Sequence, residues 1–263
     1  MSIERRVWAR VEYDGTDFYG FQVQARERTV QGEIERAIRA VTGHAARVVG
    51  AGRTDRGVHA QGQVIAFTAN WKHGLPALQG ALNATLAPDV AILALGPAAE
   101  EFHPRFSARS RTYRYSVANR PCRLALERRH AWHVATRLDH DRMSAAGRCL
   151  VGKKDFSTFG RPLHGDNTLR TVFRAEWECP AGTGRSQEGK LLVFEIEADA
   201  FLYRMVRSVV GTLVRVGLGE LTAQEFEGLL RARDRSQIRL VAPAQGLCLA
   251  RVDYDATFQG VVQ

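Results

Sequence analysis

The feature that most narrows the fold is a hydrophobic pattern that occurs twice, once in each half of this 263-residue chain. In the first half Val7, Ala9, Val11 and Tyr13 alternate with Trp8, Arg10 and Glu12. That period of two gives a strand with one apolar face, ended by Asp14-Gly15. Thr29 can accept a hydrogen bond at a helix N-terminus, and Val30, Ile34, Ala37, Ile38 and Val41 then share one helical face until Gly43. Two short β-like runs follow at residues 47–50 and 63–69. A helix over residues 75–86 stops before Pro88, and residues 89–95 read as a buried strand.

The second half repeats the order. Residues 111–118 are strand-like, and Asp139 can cap a helix to about residue 150. Residues 171–178 and 190–198 pair across a glycine-rich turn over residues 181–189. Residues 201–216 read as a long amphipathic helix, and Thr222-Ala-Gln-Glu225 has capping-box spacing for another to about residue 232. A closing strand occupies residues 246–254. Two β-α-β-β-α-β runs predict an α+β protein of two ferredoxin-like halves, residues 1–106 and 107–263. Their sheets are expected side by side, with helices on one face and a basic cleft where the halves meet.

Charge is distributed unevenly. The net charge is +9, and only four of the 37 basic residues are lysine, so 33 are arginine. Arginine's planar fork matches phosphate oxygens, whereas lysine is a point charge. Residues 1–106 carry a net +1 and residues 107–263 a net +8. Between His103 and Arg142 ten arginines face only Glu127, Asp139 and Asp141. Such a stripe fits a polyanion, nucleic acid ahead of membrane, because no amphipathic basic helix accompanies it. No apolar run approaches the ~18 residues that cross a bilayer. The start, Met1 to Arg6, lacks an apolar signal core, so a cytoplasmic location is expected.

Metal and redox chemistry find little support. Cys122, Cys149, Cys179 and Cys248 form no Cys-x-x-Cys pair and read as buried free thiols. His130 and His133 fall in a strand-like stretch, where i and i+3 point to opposite faces.

The connection between the middle strands of the first half, residues 51–62, is long for a hairpin, which normally takes about 2–5 residues. It contains Gly52-Arg-Thr-Asp-Arg-Gly-Val-His-Ala60. Gly52 and Gly57 free the backbone around a single carboxylate, Asp55, and the cationic Arg53 and Arg56 favour its ionised, nucleophilic form. A phosphate-binding loop does not fit, because Asp55 stands where a third glycine is required. On composition alone two further readings stay open: a salt-bridged structural turn between Arg53 and Asp55, and half of a metal site with His59.

Gly52 to Ala60 resembles the signature of the tRNA pseudouridine synthase A family. The resemblance extends in order through Glu12-Tyr-Asp-Gly-Thr16, Tyr19-Gly-Phe-Gln22, Thr29-Val-Gln31, Phe102-His-Pro-Arg-Phe-Ser-Ala108, Arg111-Thr-Tyr-Arg-Tyr115, Asp155-Phe-Ser-Thr-Phe159, Met205-Val-Arg207, Gly211-Thr212 and Ala244-Gln-Gly-Leu247. Arg56, Ser208 and Cys248 depart from the residues frequent in the family. The resemblance implies isomerisation of uridine to pseudouridine at positions 38 to 40 of the tRNA anticodon arm. The C1′–N1 bond breaks and C1′ rejoins at C5, which calls for no cofactor. It assigns the catalytic carboxylate to Asp55 and leaves three routes: attack on C1′, attack on C6, or elimination through a glycal. Arg53 would keep Asp55 ionised and fill the space of a flipped nucleotide, since a stacked base is out of reach. Tyr113 would face the extruded uracil, and Arg207 would be the basic partner of the acid. Arg105, Arg109, Arg111 and Arg114 would grip phosphates. The resemblance also implies a homodimer. A tandem RNA-recognition module shares the strand order, but residues 63–69 offer only Phe67 in place of its stacking aromatics. A metal-dependent nuclease using Asp55 and His59 is the remaining rival.

Overall fold

A computed structural model describes residues 4–180 and 190–259, so the expected turn at 181–189 lies outside the described residues. The fold is mixed α+β. In chain order its elements are β1 (Glu4–Tyr13), α1 (Val30–Thr42), β2 (Val49–Gly50), β3 (His59–Asn70), α2 (Leu75–Thr85), β4 (Val90–Pro97), β5 (Ala108–Asn119), β6 (Trp132–Val134), α3 (His140–Gly147), β7 (Gly152–Asp155), β8 (Leu169–Glu178), β9 (Lys190–Ala198), α4 (Met205–Gly217), α5 (Ala223–Ala232), β10 (Leu247–Tyr254) and α6 (Ala256–Gln259). They form two compact units: Met1–Arg111 with Leu249–Gln263, and Thr112–Cys248.

In the first unit the strands run β4-β1-β3-β10, with β2 also paired to β3. β1 is antiparallel to both neighbours, with Val7 opposite Phe67 and Pro97, and Ala9 opposite Ile65 and Leu95. The apolar face of α1 explains its place: Val30, Ile34, Ala37 and Ile38 are fully buried with Ile65, Leu78 and Leu82. Each large aliphatic among them contributes about 1.5–3 kcal/mol on leaving water. Thr29 caps α1 by accepting from the Gly32 N–H, and Gly43 ends it at φ 76°. The closing strand departs from the expected halves. From Leu249 onward it groups with the first unit, because it lies beside β3 and its Tyr254 hydroxyl donates to the Pro104 carbonyl at 2.9 Å.

In the second unit the order is β5-β9-β8-β7, and the short β6 pairs in parallel with β5. Tyr115, Phe156, Phe159, Phe194, Ile196, Val209, Leu213 and Phe226 are fully buried there. Asp139 caps α3 and the Thr222–Glu225 capping box starts α5. α4 differs from its expectation in two ways. It starts at Met205 rather than 201, because Arg204 takes left-handed dihedrals (φ 61°) and Tyr203 bridges to Arg161. It is also buried nearly all round, with only Arg207 and Arg215 half-exposed. The cysteines form no disulfide, but none is buried: Cys122 and Cys179 are exposed and the other two are half-buried. No helix among the described residues is long and apolar enough to cross a membrane.

Candidate active site

β3 begins at His59, four residues before the expected 63, because Ala60 still pairs with Tyr13 beyond a bulge whose extra residue lies in β3 itself. The loop carrying Asp55 is therefore residues 51–58. Its N-terminal end is pinned by the Ala51 N–H donating to Val64 O at 2.8 Å, and by Gln63, whose Nε2 donates to Gly52 O at 2.7 Å. Gln63 is fully buried although it opens an apolar run, so its side chain has to find partners inside the protein. Its Nε2 also lies 3.5 Å from the Tyr13 hydroxyl. That hydroxyl shares a 2.8 Å hydrogen bond with the Thr54 hydroxyl, next to Asp55.

A second bracket comes from residues 18–21. The Phe21 N–H donates to Thr54 O at 3.0 Å, and the Gly57 N–H donates to Phe18 O at 3.3 Å. Gly20 sits at φ 96°, and a Cβ there would meet Thr54 O at 2.8 Å, so this close approach excludes a side chain. Gly57 is also left-handed, at φ 77°, which lets the Val58 N–H turn back onto Asp55 O at 3.1 Å. Phe21 is held in turn by α1, since its carbonyl accepts from the Gln31 N–H at 2.8 Å. The motifs at residues 19–22 and 29–31 are thus scaffolding for the Asp55 loop. The signal that could have revealed the bracing is the buried glutamine Gln63 in an apolar strand.

Within this frame Thr54, Ala51 and Val58 are buried, Asp55 is half-buried, and Arg53 and Arg56 are exposed. The Arg56 guanidinium lies 4.0 Å over the Tyr19 ring, which ties the loop to residues 18–21 by a further contact. The His59 ring is directed at the turn after β1. Its Nδ1 is 3.0 Å from Gly15 N and 3.1 Å from Asp14 Oδ1. One ring nitrogen cannot serve both: protonated it pairs with Asp14, and unprotonated it accepts from Gly15.

The remaining site residues divide between the units. Tyr113 is 8% exposed and packs edge-on against Phe201, ring centres 5.0 Å apart. Arg207, in the first turn of α4, donates from Nε to Ala242 O at 2.8 Å, while the Ala242 N–H donates to Arg207 O at 3.0 Å. Burial raises the pKa of the neighbouring Tyr115 hydroxyl, an effect that the Arg207 charge opposes. Tyr115 donates that hydroxyl to Pro243 O at 2.7 Å.

The arginine stripe is not uniform. Arg105 and Arg109 are exposed. Arg111 departs from the phosphate-gripping expectation: it is 9% exposed and donates to the carbonyls of Ala51 (3.1 Å), Ala108 (3.4 Å) and Arg105. Through these bonds it braces the start of the Asp55 loop. Arg114 is exposed but pairs with Glu195 at 2.7 Å, and Glu195 also holds Arg174 at 2.8 Å.

The loop is braced from two sides and carries one half-buried carboxylate, Asp55, between two exposed arginines. Comparison with known proteins gives the class. The family model described as tRNA pseudouridine synthase matches residues 9–107 and 146–255, and the chain belongs to that family. Its relatives carry a more particular name, tRNA pseudouridine synthase A. The one from Roseiflexus castenholzii is 41% identical over 95% of this chain and 91% of its own length. That from Agrobacterium fabrum is 42% identical over 93% and 90%. That from a Thermoanaerobacter species is 38% identical over 95% of this chain and all of its own.

Proposed function

We propose that this protein isomerises uridine to pseudouridine in tRNA, at positions 38 to 40 of the anticodon arm, with Asp55 as the nucleophile. Family membership supports the isomerase activity and the tRNA substrate. The observation that carries the role of Asp55 is the bracing of its loop. Thr54 is fixed through both its hydroxyl and its carbonyl, so the backbone that carries the next residue, Asp55, is held in place before substrate arrives. Preorganisation of this kind is what a reacting group needs, because a small misplacement costs orders of magnitude in rate.

In the reaction the C1′–N1 bond breaks, the uracil turns, and a C1′–C5 bond forms. C5 gives up its proton and N1 gains one, so atoms and electrons balance without a cofactor. The target nucleotide has to leave the helical stack first. Arg53, exposed beside Asp55, fills the vacated space, and Tyr113 and Arg207 bind the extruded nucleotide. Arg105 and Arg109 contact phosphates; Arg114 does so when it exchanges Glu195 for RNA. Both halves are ferredoxin-like in our reading, and the order β4-β1-β3-β2 in the first unit supports this. The protein acts as a cytoplasmic homodimer.

The test is incubation with an unmodified tRNA transcript without added metal or nucleotide, followed by mapping of pseudouridine. Modification confined to positions 38–40 is expected. Cleaved RNA, or modification elsewhere, overturns the assignment.

A further inference from the structure

One large apolar side chain near the Asp55 loop is turned outward. Phe106 is 75% exposed, although it follows Phe102, which is fully buried against Tyr254. Its exposure is built in rather than left over from a loose turn. The His103 ring lies against it, centres 4.3 Å apart and planes 30° from parallel. That ring is itself fixed, because its Nδ1 accepts from the N–H groups of Arg105 (3.1 Å) and Phe106 (3.2 Å). The turn is closed by the Ser107 N–H donating to His103 O at 2.9 Å, and by the His103 N–H donating to Ser107 Oγ at 3.1 Å. Buried Pro104 anchors it from below through the Tyr254 hydroxyl at 2.9 Å.

The surroundings select a ligand. The Arg105 guanidinium lies over the Phe106 ring, 5.5 Å from its centre, and exposed Arg109 follows four residues on. An aromatic ring backed by an imidazole, with an exposed guanidinium over it that can turn to a phosphate, suits a nucleotide, since every nucleotide has a base face to stack and a phosphate to pair. The platform is also coupled to the Asp55 loop. The Arg111 guanidinium donates both to Ala51 O, where that loop starts, and to Arg105 O, where the platform starts.

We propose that Phe106, backed by His103, is a stacking platform for an unpaired base of the tRNA substrate, with Arg105 holding the phosphate joined to that base. This rests on the reading of tRNA as substrate and adds a binding residue to it.

The experiment uses the full-length protein, an unmodified tRNA transcript, and the variants Phe106→Ala and Phe106→Trp. Both should melt with the wild type, because the ring is mostly outside the core. Phe106→Ala should weaken tRNA binding about 5- to 150-fold, the range that loss of one base–aromatic stack gives. Phe106→Trp should keep wild-type affinity, and tRNA should quench its fluorescence beyond the quenching of the native tryptophans. Wild-type affinity in the alanine variant, or no added quenching in the tryptophan variant, overturns the proposal. So does an alanine variant that loses self-association while keeping its RNA affinity, which would make Phe106 a protein contact. Quenching by tRNA in a protein that makes no pseudouridine would leave the platform standing and remove the functional reading instead.

Discussion

Thr54→Val is close to isosteric and removes only the hydroxyl that stands 2.8 Å from the Tyr13 hydroxyl. The main-chain bonds of Thr54 and Asp55 to Phe21 and Val58 are untouched. A neutral hydrogen bond contributes about 1 kcal/mol net, and at 3.5 Å Gln63 gives the Tyr13 hydroxyl only weak compensation. We therefore expect a loss of about 1–2 kcal/mol, a fall of roughly 2–8 °C in melting temperature for a chain of this size. The catalytic effect should be larger in proportion. With one of the two bonds that fix Thr54 gone, the Asp55 side chain should sample unproductive positions, and kcat should fall about 10- to 100-fold. KM for tRNA should stay within a few-fold, because the phosphate contacts we propose lie elsewhere. Calorimetry and steady-state release of tritium from 5-tritiated uridine in tRNA measure the two quantities. Thr54→Ser keeps the hydroxyl and should retain most of the rate. A valine variant with wild-type stability and wild-type kcat would refute the reasoning that this hydroxyl braces the acid.

Arg111→Met should lower stability by about 2–4 kcal/mol in chemical denaturation, since three carbonyls lose a charged donor. Neutralising Arg105 and Arg109 together should leave unfolding unchanged and flatten the slope of log affinity against log salt by roughly 1.4–1.8. Burial works to raise the pKa of Asp155, but hydrogen bonds from Ser157 and Thr168, with Arg233 nearby, outweigh it and hold the carboxyl below its ordinary value. The stability Asp155 contributes is then present above about pH 4 and lost as pH falls through the lower folded value. Asp155→Asn should flatten the acid limb of the stability–pH curve below pH 4. Gly20→Ala forces a Cβ to 2.8 Å from Thr54 O at a positive φ, and should reduce both stability and turnover.

Much of the fold was legible because it follows from local rules. The apolar stripe of α1, its Thr29 cap and Gly43 stop, and the Thr222–Glu225 capping box are written within a few residues of where they act. What escaped was non-local. The return of β10 to β3 depends on pairing partners nearly two hundred residues apart, and the early start of β3 depends on its pairing with Tyr13 beyond a bulge in β3. In the site, the motif around Asp55 stood out, but the Tyr13–Thr54–Gln63 network joins three separate segments that no spacing connects. Arg111 misled for a related reason. A guanidinium in a basic stripe looks ready for phosphate until the fold shows the carbonyls it already serves.

The role of Asp55 is decided by Asp55→Asn, a substitution that keeps side-chain shape and removes the charge. Tritium release from uridine-labelled tRNA should fall below detection, while the melting temperature and tRNA affinity stay near those of the unaltered protein. Turnover at an undiminished rate in the asparagine variant would contradict the assignment of this carboxylate as the reacting group.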